Sequence, residues 1–364
     1  MKIALILPGT IWFAPYVRIY TKIMDEQQVD YSIISWNRDG KDEKEGIQYG
    51  KRINVNNGAA SLRDYLQYVK FICKIVKEEH FDRLVVFGPQ MACLLFFLLL
   101  GFKKKFIIDY RDLSIEQKPI LKQLFGLITK WSFANVISSP GFKKYLPKRD
   151  YLLSHNFDIE TVRSVIDDKS EKQNDDNSQI DVLTIGGIRD YSSNIEVVKA
   201  LANQEGFFMR FVGSGGAVTP IKSYVEEKKI QNISFTGYYK KVDEPSFIKT
   251  ATFLNIFYPR VKTHDTALSN RFYNSLIYKK PMIVTKDTTQ GDFAEQYGVG
   301  VAIEDCKNLP TILQDFLKHD YICYVQQCNI LLKSFLNDYQ VFENNIIEFL
   351  FNNRGRIQQE HILD

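Results

Sequence analysis

Short apolar runs that end in glycine or proline alternate with amphipathic stretches along most of this chain. Few architectures accept that pattern. Strand, helix and strand in turn favour parallel sheets with helices on both faces. In the first half, strands are expected at 2–7, 31–36, 83–87, 105–110, 135–139 and 151–154, with helices at 15–24, 61–77 and 121–133. The clearest helix is 61–77, where Leu62, Tyr65, Leu66, Val69, Ile72, Cys73 and Val76 recur at spacings of three and four. Residues 167–179, DDKSEKQNDDNSQ, hold no apolar side chain and read as an exposed linker. The second half repeats the scheme, with strands at 181–186, 207–212, 232–236, 253–258, 282–284 and 299–303. Its helices are expected at 194–203, 221–229, 245–250 and 309–319, and the tail from 324 to 350 reads as largely helical. At 364 residues, two domains are the expectation.

Composition narrows the partners. A net charge of +4 is too weak to make nucleic acid the main partner, and 25% charged residues are ordinary for a globular protein. Five scattered cysteines with no C-x-x-C pair point to reduced thiols and a cytoplasmic setting. The start, MKIALILPGT, resembles a first Rossmann-type strand rather than a signal peptide, because Pro8-Gly9 ends the apolar run early. The run 91–102, MACLLFFLLLGF, is shorter than the roughly 20 residues needed to span a bilayer. Two readings of it stand: a helix buried between strands, or an apolar helix with Lys103-Lys104-Lys105 at its end that touches the inner face of a membrane.

The stretch 263–285 carries the most chemistry. Asp265, Thr266, Ser269, Asn270, Arg271 and Asn274 crowd a loop and a helix start, Pro281 stops the helix, and a buried strand follows. A polar helix N-terminus at the carboxyl ends of parallel strands suits an anion. Gly186-Gly187-Ile188-Arg189 sits between a strand and a helix, where a phosphate can approach the backbone and an Arg can hold it. Gly213-Ser214-Gly215-Gly216 fails as a dinucleotide fingerprint, because its third glycine position falls on Val218. Asp109-Tyr110-Arg111-Asp112 ends another strand, as a ligand site or as a local ion-pair set. The five histidines form no H-x-x-x-H or H-E-x-x-H pair, so no metal is expected.

Taken in order, these pieces resemble the retaining GT-B glycosyltransferases of family 4 and their relatives in bacterial capsule and surface-polysaccharide pathways. Residues 269–276 with Lys279-Lys280-Pro281 look like that family's P-N-K-L-F-E-Y-L…G-K-P segment, and Gly298-Val299-Gly300 like its following G-x-G. Arg189 resembles the Arg that holds the donor diphosphate. Residues 211–215 look like the V-G-x-G strand end and 235–238 like the F-x-G segment. Residues 108–113 are similar to the D-x-R-D-L run of acceptor domains, and His155-Asn156-Phe157-Asp158 to the crossing between domains.

The resemblance implies two Rossmann-like domains facing a central cleft: 1–160 for the acceptor, joined by a returning C-terminal helix at about 338–364, and 178–337 for the nucleotide sugar. It implies transfer of a sugar to a hydroxyl of a saccharide or lipid-linked saccharide, with retention and without a cofactor. Arg111, Asp112 and Arg189 become the expected catalytic residues. Gly9, Gly187, Gly213, Ser214, Gly237, Tyr238, Asp265, Ser269, Asn270, Arg271 and Asn274 become the expected nucleotide-sugar set. Asn274 departs from the family, which has a Glu there, and Thr266 falls where the upstream acid of the E-x7-E pattern would stand. Tyr191-Ser192-Ser193-Asn194 replaces the second basic residue after Arg189. Such departures leave open a non-transferring partner protein or a sugar-nucleotide epimerase on the same fold.

Overall fold

The computed structural model describes residues 1–38, 40, 43–50, 60–167 and 179–351. Most of the expected linker, and the C-terminal residues beyond 351, lie outside that set. The chain divides into two units, and among the described residues each holds one parallel sheet.

The first unit comprises Met1–Ser138, Phe142–Ser154 and the C-terminal helix from Asp338 onward. Its strands are β1 (Lys2–Ile6), β2 (Asp30–Trp36), β3 (Ile47–Tyr49), β4 (Arg83–Phe87), β5 (Phe106–Tyr110), β6 (Ala134–Ile137) and β7 (Leu152–Leu153). They pair in the order β3-β2-β1-β4-β5-β6-β7. Its helices are α1 (Val17–Glu26), α2 (Leu62–Glu78), α3 (Pro89–Leu94), α4 (Phe96–Leu100) and α5 (Pro119–Trp131). The central strands β4 and β5 are buried along their whole length, as a sheet covered on both faces requires.

Helix α2 starts with a reciprocal cap between Ser61 and Asp64. Its buried stripe is Tyr68, Ile72 and Val76, one turn apart, and the Tyr68 hydroxyl donates to the carbonyl oxygens of Leu7 (2.8 Å) and Ile34 (3.2 Å). Leu62 and Leu66, expected on the same face, are exposed, because a turn of about 3.6 residues carries them around the helix from the line through Tyr68, Ile72 and Val76. The apolar run 91–102 is two short helices rather than one, meeting at Leu95. Met91, Ala92, Leu95 and Leu99 are buried, whereas Phe97 is 84% exposed.

The second unit comprises Ser139–Gly141 and His155–Asn337. Residues 155–160, placed with the first domain on sequence grounds, pack here, because α6 (Ile159–Asp167) buries Val162 in this unit's core. Its strands are β8 (Ile180–Gly187), β9 (Phe207–Ser214), β10 (Ile233–Gly237), β11 (Phe253–Ile256), β12 (Met282–Thr285) and β13 (Gly300–Ile303), in the order β10-β9-β8-β11-β12-β13. Its helices are α7 (Tyr191–Leu201), α8 (Val218–Glu227), α9 (Glu244–Lys249), α10 (Lys262–Thr266), α11 (Asn270–Ile277), α12 (Thr289–Tyr297) and α13 (Leu309–Phe316). Both sheets reverse strand order once, between β1 and β4 and between β8 and β11, and such reversals open a crevice at the carboxyl ends of the strands. Helix α14 (Tyr321–Phe351) serves two cores: Cys328, Leu331, Leu332 and Phe335 belong to the second unit's, and Phe342, Ile346 and Phe349 to the first's.

Asp109 is fully buried within β5, and a carboxylate there needs a partner. Arg111 meets it with a two-pronged ion pair, Nε to Oδ1 at 2.5 Å and Nη2 to Oδ2 at 2.7 Å, and the Tyr20 hydroxyl donates to Oδ2 at 2.7 Å. Arg111 Nη1 donates to the Ser154 carbonyl at 2.8 Å, and the guanidinium lies 4.7 Å from the Tyr16 ring centre. Arg111, expected among the catalytic residues, therefore closes a buried network, while Asp112 beside it is exposed. Removing one member of a buried pair strands the other charge. Arg111→Met should destabilise the first unit by about 3–5 kcal/mol, read as a lowered urea midpoint.

Candidate functional site

A cavity of about 460 Å³ opens in the second unit, at the reversal between β8 and β11. Its floor is the end of β8, where Gly186 takes φ +94°. The next strand end is packed against that floor. A Cβ on Gly213 (φ +135°) would sit 2.0 Å from the Gly186 carbonyl oxygen, and one on Gly215 (φ +155°) 2.1 Å from that of Ile188. Backbone hydrogen bonds from Ile188 to Ser214 and from Ala217 to Ile188 lace the two loops together. The glycines of 213–215 are thus a steric requirement of the floor, and Gly213 and Ser214 do not line the cavity.

Helix α11 supplies the wall. The Ser269 hydroxyl caps it by accepting from Phe272 N–H, and donates to Gln290 Oε1 at 2.7 Å. Arg271 is 7% exposed, and its guanidinium donates to the carbonyl oxygens of Ile185 (2.5 Å), Asn255 (3.3 Å) and Gly187 (3.0 Å). Arg271 therefore ties the start of α11 to the ends of β8 and β11. Beneath it a buried polar layer is closed: Asn255 Nδ2 donates to Thr184 Oγ1 at 2.9 Å and to Asn194 Oδ1 at 3.2 Å.

The cavity presents two kinds of chemistry. One is cationic. Arg189, exposed beside Gly187, makes no hydrogen bond or ion pair among the described residues. At the start of α11 the N–H groups of Phe272 and Tyr273 meet the Ser269 carbonyl, while those of Asn270 and Arg271 have no carbonyl partner among the described residues. The other is a held carboxylate. Glu244, the first residue of α9, is 8% exposed and lines the same cavity. Asn274 Nδ2 donates to its Oε1 at 2.9 Å, and Lys241 Nζ and the Tyr239 hydroxyl also donate to it. Burial by itself pushes this carboxyl up, but the donors Lys241, Tyr239 and Asn274 together hold it below its ordinary value of 4.5. Burial, with the bond to Glu244, pushes the Tyr239 phenol well up, so it stays a donor.

Of the expected nucleotide-sugar residues, Gly187, Ser269, Asn270, Arg271 and Asn274 share this cavity with Arg189. Asn270 Oδ1 accepts from Asn156 at 2.7 Å. Gly237, Tyr238 and Asp265 lie outside its lining: Tyr238 is 82% exposed, and Asp265 pairs with Arg260 at 2.9 Å. Gly9 lines a separate cavity in the first unit. Tyr239, Glu244 and Gln290 were not anticipated. Glu244 precedes Pro245 at a helix start, where an acid reads as ordinary dipole compensation, and no sequence spacing ties it to Asn274.

No family model matches the sequence, and no curated protein does at a significant level. Solved structures do match. The sucrose-phosphate synthase of Thermosynechococcus elongatus superposes with TM-score 0.63 at 13% identity, over 98% of both chains. Anabaena HepE in complex with UDP and glucose gives 0.64 at 13%, over 96% of this chain and 99% of that one. A putative UDP-N-acetylglucosamine 2-epimerase from Listeria monocytogenes gives 0.56 at 12%, over 93% and 97%. The fold is therefore GT-B, with two parallel-sheet Rossmann-like domains.

Glu244 sets an acid-range signature. Its lowered pKa stabilises the fold above the unfolded value, and that contribution is lost as pH falls through the folded value. Thermal melts from pH 7 down to about 3 should show wild type losing stability below its carboxylate range more steeply than Glu244→Gln.

Proposed function

We propose that this chain is a glycosyltransferase whose second unit binds a nucleotide sugar. The observation that carries the reading is the juxtaposition in one cavity of unpaired Arg189, the start of α11 and the held carboxylate of Glu244. A diphosphate needs fixed positive charge and N–H donors, and ribose or sugar hydroxyls need an acceptor. The Glu missing at position 274 is replaced in effect: Asn274 donates to Glu244 and helps hold a carboxylate in the same wall. The UDP bound in HepE supports uridine diphosphate as the donor's leaving group.

In this reading the bond from the anomeric carbon to the diphosphate oxygen breaks as an acceptor hydroxyl attacks from the same face, which gives retention, and the hydroxyl proton passes to the departing diphosphate oxygen. Negative charge grows on the departing diphosphate. Arg189 and the α11 N–H groups stabilise it without a metal, because they are already in place before the charge develops. The acceptor is a saccharide or lipid-linked saccharide, held by the first unit. The reaction takes place in the cytoplasm, at the inner face of the membrane. Phe97 and the neighbouring Lys103-Lys104-Lys105 support contact with anionic lipid, although no helix of the described residues is long and apolar enough to cross a bilayer. The putative epimerase among the structural matches keeps one alternative, an enzyme that needs no acceptor; product analysis with donor alone separates the two.

UDP at about 100 times its dissociation constant should add about 2.7 kcal/mol of stability, seen as a raised melting temperature, and GDP should not. With the matching donor, Arg189→Ala should lower turnover by roughly 100-fold, about 2.7 kcal/mol; unchanged turnover would remove Arg189 from the mechanism. In flotation with anionic liposomes at low salt, wild type should rise with the vesicles and Phe97→Ser should remain behind.

A further inference from the structure

The reversal of strand order in the first unit, between β1 and β4, has its own cavity of about 350 Å³. Gly9 and Thr10 reach it from the end of β1, Arg38 from the end of β2, and Gln90 from α3 behind β4; Tyr16 and Tyr65 add ring surface. Two of its polar atoms are unsatisfied. Thr10 is 2% exposed and its hydroxyl has no hydrogen-bond partner. Arg38 Nε is likewise buried without one. Buried polar atoms are rarely left so unless a ligand or water completes them.

Charge points the same way. Three other enclosed arginines have partners that occupy them: Arg111 has Asp109, Arg210 has Asp181, and Arg271 has its carbonyls. Arg38 has no carboxylate among the described residues. Its Nη2 donates to the Pro8 carbonyl and to the Tyr65 hydroxyl (3.2 Å), and its guanidinium lies over Trp36 at 4.3 Å and Tyr65 at 5.1 Å. The two rings and the Pro8 carbonyl hold the guanidinium in place, and a guanidinium held in this way is prepared for a planar or tetrahedral anion. Around it, Tyr16, Tyr65 and the 61% exposed Phe13 offer faces on which the C–H side of a sugar ring can lie. The Gln90 amide both donates and accepts, as hydroxyl recognition requires.

We propose that this cavity binds an acidic sugar, one carrying a carboxylate or a phosphate. Arg38 takes the anionic group, and Thr10 and Gln90 take ring hydroxyls. That this sugar is the acceptor, or its terminal residue, rests on the glycosyltransferase reading above; that the cavity binds it does not. Gly9 then serves this ligand rather than the nucleotide sugar, since a Cβ there would meet open space at the cavity wall.

The test is ligand-observed NMR on the full chain with glucuronate, glucose 6-phosphate, glucose and inorganic phosphate, alongside UDP. At least one acidic sugar should bind saturably and more tightly than glucose or phosphate alone. Arg38→Gln should weaken it about tenfold, or 1.4 kcal/mol, while UDP binding is unchanged. Thr10→Val should weaken it too, and gives a second measurement if Arg38→Gln fails to fold. Failure of both acidic sugars to bind a protein that binds UDP would overturn the proposal and leave the transferase reading standing. Equal binding by wild type and Arg38→Gln would overturn it, and so would inorganic phosphate matching the phosphosugar. Binding of an acidic sugar without any binding of UDP or another nucleotide would support the cavity and remove the transferase reading.

Discussion

Arg271 donates to three backbone carbonyls, from Ile185, Gly187 and Asn255, and through them fixes where α11 begins relative to two strand ends. The guanidinium is buried, so each unsatisfied N–H would be costly, and the geometry tolerates little displacement. The cap at Ser269, the seat of Asn274 against Glu244 and the shape of the floor all follow from this attachment. A lysine could not replace it, because a point cation lacks the planar fork that reaches divergent carbonyls.

Arginine illustrates how surroundings decide a role. Arg111 is consumed by a buried carboxylate and holds the first sheet together. Arg271 serves backbone and holds the second unit's site together. Arg189 has neither kind of claim on it among the described residues, Arg38 is held by the Pro8 carbonyl and the Tyr65 hydroxyl but meets no carboxylate among them, and both face cavities at a reversal of strand order. From sequence Arg38, Arg111 and Arg189 look alike, each within two residues of a strand end, and Arg271 stands at a helix start. Burial and counter-charge separate them, and those are tertiary properties.

Fold class was legible because the central strands are buried on both faces and so read as continuous apolar runs, as in 83–87. The short β3 was missed because three half-buried residues give no period to detect. Helix α6 was missed although Ile159, Val162 and Ile166 follow helical spacing, because the polar run after it drew the boundary forward. At the site, Gly187, Arg189 and the start of α11 were legible, since glycine turns and helix caps are local signals. Glu244 was not, for it meets Asn274 from 30 residues away. Gly213 was misleading in an instructive way: a glycine run after a strand reads as a ligand loop, and here it answers to the backbone of the neighbouring loop.

The contact between the Gly213–Gly215 segment and Gly186–Ile188 has a consequence for how such a protein can diversify. Any side chain at Gly213 or Gly215 would collide with main-chain atoms, which cannot rotate away as a flexible side chain can. The floor of the cavity is therefore closed to change by substitution. The opposite wall, where Tyr239, Lys241 and Glu244 stand, rests on side-chain hydrogen bonds and can be rebuilt one residue at a time. Under the glycosyltransferase reading, selectivity among ligands would then drift along 239–244 while the floor stayed constant. The molecule separates what it must hold from what it is free to choose.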